Sequence, residues 1–140
     1  MDKLVTIGEA ASLTGVSAKM IRHYEKTDVL KKASRTDAGY RLYNQAQIQQ
    51  LGFIRQSRNL GFSMLEIQSL LKFWLDSGRE SRNVKQLALS HLHDINSKIV
   101  ELEKMRGVLQ QLADQCDGDD NPDCPILEGL AQFSADSPRV

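Results

Sequence analysis

"TIGEAASLTGVSAKMIRHYEK", residues 6–26, places two short segments of helical apolar spacing on either side of the turn TGV. Thr6 stands three residues before Glu9, the spacing of a capping box, and opens a first short helix. Ser17 is the cap expected for the second. Gly15, in the turn between them, can take the positive φ that a tight reversal needs. Ile7, Ala10, Ala11, Val16 and Ile21 supply apolar contacts between the two helices. Two short helices joined in this way read as a helix-turn-helix. The second would carry Lys19, Arg22, His23 and Tyr24 near its exposed face, a mixture suited to base edges and phosphates in a major groove. A solvated basic helix is the other reading of this segment taken alone, because such patterns are short and recur by chance.

The next segments favour the first reading. "KKASRTDAGYRLYN", residues 31–44, alternates polar and apolar residues around the turn TDAG and carries Lys31, Lys32, Arg35 and Arg41 with Tyr40 and Tyr43. That is the pattern of a short basic hairpin, a wing. Asn44 can cap the following helix, "QAQIQQLGFIRQSRNLG", in which Ile48, Leu51, Phe53 and Ile54 would face inward while Arg55 and Arg58 stay available for phosphate. Ser63 and Glu66 form a second capping box, which opens "MLEIQSLLKFWL". Four helices and a wing are therefore expected within residues 4–76.

A chain of 140 residues makes one ordinary domain or two small ones. It contains no apolar run long enough to span a membrane and no pattern of a secretory signal at its start, so a cytoplasmic protein is expected. The net charge of zero hides an asymmetry. Residues 1–72 carry eleven Lys/Arg against six Asp/Glu, and residues 73–140 carry seven against twelve. A basic half joined to an acidic half suggests a polyanion-binding module attached to something else. Beyond the break "DSGRES", a long helical pattern runs from about Arg82 to Gln115. Leu92, Ile95, Ile99, Leu102, Met105, Leu109 and Leu112 recur on it at steps of three and four. A lone helix of this length has no core to cover its stripe, so a second copy of the chain is the economical partner, with Ile95, Ile99, Leu102 and Leu109 in the interface. His91 and His93, two apart, fall on different faces and are poor joint ligands.

The order of "MIRHYE", "RTDAGYRLY", "RNLGFSMLEI", a dimerisation helix and a terminal cysteine loop ending in "DCPIL" resembles the MerR family of transcription regulators, and within it the copper-efflux-regulator branch. The resemblance covers residues 4–131. It implies an all-α fold with a small β wing. A winged helix-turn-helix domain at 1–76 would be followed by a hinge and dimerisation helix at 77–115, forming an antiparallel coiled coil in the dimer. A metal loop and short helix at 116–131 and a disordered tail at 132–140 would complete the chain. It further implies a homodimer on a palindromic operator in double-stranded promoter DNA, distorting the promoter for RNA polymerase when metal binds. Lys19, Arg22 and Tyr24 would then be recognition-helix contacts, and Arg35, Tyr40 and Arg41 wing contacts.

The two cysteines, Cys116 and Cys124, bracket four acids, a glycine, an asparagine and a proline. In a reducing compartment such thiols are free, redox-active or metal-binding rather than a structural disulfide. Counted from Asp117, Asp117, Asp119, Asn121, Asp123 and Glu128 also fit an EF-hand calcium loop at positions 1, 3, 5, 7 and 12. The fit fails at position 6, where Pro122 stands in place of the glycine that the turn needs. In the sulfur reading, Cys116 ends the long helix and Cys124 caps a short one with Pro125 in its first turn. A monovalent d¹⁰ ion such as Cu(I), or Ag(I) or Au(I), is satisfied by two thiolates in line, with sulfurs about 4 to 5 Å apart. Zinc ordinarily takes four ligands. The resemblance adds Ser81, whose position faces the partner's metal loop in the family and is cysteine in divalent-ion sensors but serine in the copper branch. Other readings stay open: a thiol-disulfide redox sensor, or a divalent-metal sensor of the same family. An enzyme is disfavoured, because Cys116 has no predicted base beside it and no nucleotide loop or paired-acid motif appears elsewhere. The expectation is a non-enzymatic activator of copper efflux or detoxification genes.

Overall fold

The computed structural model describes residues 3–132, so the expected tail falls, apart from Gln132, outside the described residues. The order of elements is β1 (Val5–Thr6), α1 (Ile7–Thr14), α2 (Ala18–Lys26), β2 (Ser34–Arg35), β3 (Arg41–Tyr43), α3 (Gln45–Asn59), α4 (Met64–Leu75), α5 (Ser81–Asp114) and α6 (Pro125–Ala131). The fold is thus mostly helical with one small sheet, as expected. Packing divides the chain into two compact units after Leu87, inside α5 and downstream of the boundary expected at residue 76. Among the described residues, no helix is long and apolar enough to cross a membrane.

Local chemistry starts each helix of the first unit. The Thr6 hydroxyl accepts from Glu9 N at 3.2 Å and opens α1. Its reciprocal partner differs from a full capping box: the Glu9 carboxylate meets the Thr6 hydroxyl at 3.4 Å, while Thr6 is also the last residue of β1. Ser17 caps α2 by accepting from Met20 N. Asn44 and Gln47 form a full capping box at α3, and Ser63 and Glu66 another at α4. Each such cap stabilises its helix by about 1 kcal/mol.

The core of this unit is made by Val5, Ala10, Val16, Ile21, Tyr24, Leu30, Tyr43, Leu51, Ile54, Ile67 and Leu71. Ile7, Ala11, Ile48 and Phe53 are only partly buried and pack around it. Trp74 of α4 stacks on Phe53 of α3, with ring centroids 4.7 Å apart and planes 8° from parallel. The sheet has the order β1-β3-β2, all antiparallel, with Ser34 opposite Leu42 and Val5 opposite Tyr43. The wing is therefore a three-stranded edge and not the two-stranded hairpin expected.

In the second unit α5 continues unbroken through Gly107 to Asp114. Its last turn tightens, with Cys116 N donating to Ala113 O at 3.1 Å. The loop then turns at Gly118 and reaches α6. A Cβ on Gly129 of α6 would overlap the Leu112 side chain of α5, so the glycine lets the short helix lie close against the last turns of the long one.

Candidate DNA-binding surface and cysteine loop

The turn between α1 and α2 is built around Gly15, which takes φ 73° and ψ 6° while its N–H donates to Ala11 O at 2.8 Å. The Arg55 guanidinium donates to the Gly15 carbonyl, so α3 braces the turn. Arg55 is exposed, but one of its donors is spent on the fold; Arg58, one turn on, is also exposed. Lys19, Arg22 and His23 project from α2 into solvent. Tyr24 does not. It is 3% exposed and belongs to the core, which corrects its expected place on the open face. The reason is helical spacing: Tyr24 lies three residues after the fully buried Ile21 and shares its inward face.

The wing carries its charges beside this helix. Arg35 donates to Gly39 O at 3.0 Å and pins the turn, in which Gly39 N donates to Thr36 O and Tyr40 N to the Thr36 hydroxyl. Tyr40 is 71% exposed at the tip. Arg41 of β3 is half-buried and pairs through Nε with Glu25 Oε2 of α2 at 3.5 Å. Lys31 and Lys32 are held by an arrangement that sequence reasoning missed. The buried Gln47 amide donates to both of their carbonyls at 3.1 Å while its oxygen accepts from Asn44 N. The Tyr43 hydroxyl is buried, and its pKa is pushed well above the usual tyrosine range, first by burial and then by the neighbouring Glu25 carboxylate.

Of the stripe on α5, Leu92, Ile99, Leu102, Met105 and Leu109 are between 39% and 60% exposed in the single chain, and Ile95 and Leu112 are half-buried. An isolated helix this long and this apolar along one side is not a stable surface in water. His91 is buried and His93 exposed, so the two do face apart. Ser81 is exposed at the first residue of α5, and Cys116 lies just past its last.

Both cysteines are free and half-buried. Cys124 is the N-cap of α6 with Pro125 following, and its side chain makes no capping hydrogen bond. The acids between the cysteines are turned outward in short local turns, in which Asn121 N donates to Asp119 and Asp123 N to the Asn121 side chain. Among the described residues, no three His, Cys, Asp or Glu side chains gather as a metal cluster. A structural zinc site takes four ligands and calcium an all-oxygen cage, whereas this loop offers two thiols.

A braced two-helix turn, a basic wing and a long helix with an open apolar stripe define a winged helix-turn-helix DNA-binding regulator. Comparison with known proteins gives the family. Residues 5–74 match the MerR HTH family regulatory protein domain, and residues 48–112 match the MerR, DNA binding region. The chain belongs to the MerR family of transcription regulators, which are not enzymes. An uncharacterized HTH-type transcriptional regulator of Pseudomonas aeruginosa is 49% identical to it, over 91% of this chain and 96% of that protein. Heavy metal-dependent transcription regulator 2 of Rhizobium meliloti is 44% identical over 94% and 89%. The regulator CueR of Escherichia coli is 38% identical over 91% and 94%. Among solved structures, PbrR691 of Ralstonia metallidurans in complex with lead(II) superposes with a TM-score of 0.76 at 28% identity, covering 91% of this chain and 99% of that one. The MerR regulator of Bacillus megaterium in complex with mercury(II) gives 0.69 at 31%, covering 91% and 100%.

Proposed function

We propose that this chain is a metal-responsive, cytoplasmic transcription regulator that binds Cu(I) through Cys116 and Cys124 and, as a homodimer on a palindromic operator, activates copper efflux or detoxification genes by distorting promoter DNA for RNA polymerase. The observation that carries the metal assignment is the donor set: two free, half-buried thiols flanking an acidic turn, with no third soft donor gathered beside them among the described residues. Two thiolates satisfy a monovalent d¹⁰ ion and leave a divalent ion under-coordinated. Ag(I) and Au(I) share that preference and should bind as well. A relative described as heavy metal-dependent and neighbours solved with lead(II) and mercury(II) support a metal-sensing role.

DNA is contacted by Lys19 and Arg22 from α2, by Arg35, Tyr40 and Arg41 from the wing, and by Arg58 with part of Arg55 from α3. Ile95, Ile99, Leu102 and Leu109 join the two copies through antiparallel α5 helices. That pairing also brings Ser81 of one protomer to the cysteine loop of the other. A serine there withholds a third thiolate from divalent ions.

The test is an anaerobic titration of the reduced dimer with Cu(I) and with Zn(II), counting metal per chain. One tightly held Cu(I) per chain and weak Zn(II) supports the assignment. Equal affinity for Zn(II) replaces it with a divalent sensor, and loss of both thiols to oxidant with no metal bound replaces it with a redox sensor.

A further inference from the structure

Between the last turn of α2 and the wing lies a cleft of about 360 Å³, lined by Arg22, Glu25, Lys26, Lys32, Arg35 and Arg41. Five cations and a single carboxylate share it. The carboxylate is the anomaly, because Glu25 is only 6% exposed and acids are almost never buried without a compensating partner. Its Oε2 meets Arg41 Nε at 3.5 Å, and the buried Tyr43 hydroxyl lies against the same carboxylate. Tyr43 is the residue two positions after Arg41 on β3, and no well-formed hydrogen bond joins its hydroxyl to Glu25 Oε1. A loose contact of this kind recovers little, and a buried ion pair seldom recovers what its desolvation costs. Stability is therefore a poor account of why a charge stands here.

Geometry supplies a better one. Arg41 spends Nε on Glu25, and its side chain remains 32% exposed in the cleft. Guanidinium recognises phosphate best through two parallel N–H donors held in one plane. We infer that Glu25 is a positioning residue for DNA binding: its buried carboxylate holds Arg41 by Nε and so presents the remaining guanidinium donors to a backbone phosphate seated in the cleft. The inference rests on the DNA-binding reading of the first unit. Glu25 touches no DNA itself and acts through Arg41.

The experiment uses the full-length dimer and a duplex selected by the wild type from a random pool, with affinity measured over a range of salt concentrations. Glu25→Gln, Arg41→Ala, their combination and Arg41→Lys are compared, with thermal unfolding of each as a control. Glu25→Gln should weaken binding by roughly tenfold and lower the salt slope by about two, one phosphate contact for each protomer. It should add nothing in the Arg41→Ala background. Arg41→Lys keeps the charge but lacks Nε, so it should behave like Glu25→Gln; its site is a partly exposed strand, where it should fold. Tighter binding by Glu25→Gln would mean that the carboxylate only repels phosphate, and would overturn the proposal. So would an altered unfolding temperature with affinity and slope unchanged, a further loss in the double variant, or full affinity in Arg41→Lys. A wild type that binds no duplex overturns the DNA reading and the proposal with it, whereas a wild type that binds while Glu25→Gln keeps its slope overturns only the role of Glu25.

Discussion

Replacing Gly15 by alanine should destabilise the first unit by about 1.5 kcal/mol, through two separable effects. The first is the backbone: at φ 73° an L-residue with a Cβ pays about 1–2 kcal/mol, partly offset by about 0.5 kcal/mol because alanine has less freedom to lose on folding. The second is Arg55. A Cβ on Gly15 would stand 2.6 Å from Arg55 Nη1 and 2.8 Å from Cζ. The guanidinium is the far end of a flexible side chain and can swing aside, but in doing so it gives up its hydrogen bond to the Gly15 carbonyl. That bond is exposed, so its loss costs toward the lower end of about 0.5–1.5 kcal/mol. The backbone effect therefore dominates. For a unit of this size, about 1.5 kcal/mol lowers the unfolding midpoint by roughly 6–12 °C, to be read at one protein concentration because a dimer's midpoint depends on it. Arg55→Ala alone should cost less than 1 kcal/mol, and in that background Gly15→Ala should cost only its backbone share. A Gly15→Ala protein within 0.5 kcal/mol of wild type, or full additivity with Arg55→Ala, would refute the account of the turn.

Arg22→Ala should weaken specific operator binding by about 1–3 kcal/mol and relax its sequence preference, whereas Arg58→Ala should weaken all duplexes alike and flatten the salt dependence; competition binding with mismatched duplexes separates the two. Leu102→Glu should give monomers by sedimentation with the helical signal of the first unit intact, because Leu102 is 60% exposed in the single chain and no core residue depends on it. A stable dimer would place the interface elsewhere. Cys116→Ser and Cys124→Ser should each abolish Cu(I)-induced transcription while leaving operator affinity nearly unchanged, as measured by reporter output and by gel shift in parallel.

Helix starts were readable from the sequence because caps are local. Ser17, Asn44 and Ser63 act within three residues of themselves, and the structure uses all three as expected. β1 was not readable. Two residues cannot show a period, and Val5 and Thr6 are strand only because β3 runs beside them. The burial of Tyr24 had a signal that went unread: counting three and four from Ile21 reaches Tyr24 and Glu25, both of which are buried. A tyrosine among basic residues suggested a contact with DNA, and tertiary packing decided otherwise. Gln47 shows a different limit. Its capping role is a matter of spacing, but its bonds to Lys31 and Lys32 cross more than a dozen residues and depend on the fold. At the cysteine loop, chemistry and spacing named the two sulfurs, while the close seat of α6 on α5 rests on the single pair of Gly129 and Leu112.

Thr6 ends β1, pairs with Leu42 and caps α1 in one residue, so no slack separates the sheet from the first helix. For anyone re-engineering this protein, that sets where the chain can be lengthened. An insertion on either side of Thr6, or within β3, which is paired along both edges, would shift the register of the sheet against the helix it launches. The tip at residues 37–40 is exposed but is no better a place, because Gly39 holds φ 87° and the turn is tied by Arg35 and Thr36. An affinity tag at the amino terminus should be joined ahead of Lys3 so that Val5 keeps its place opposite Tyr43.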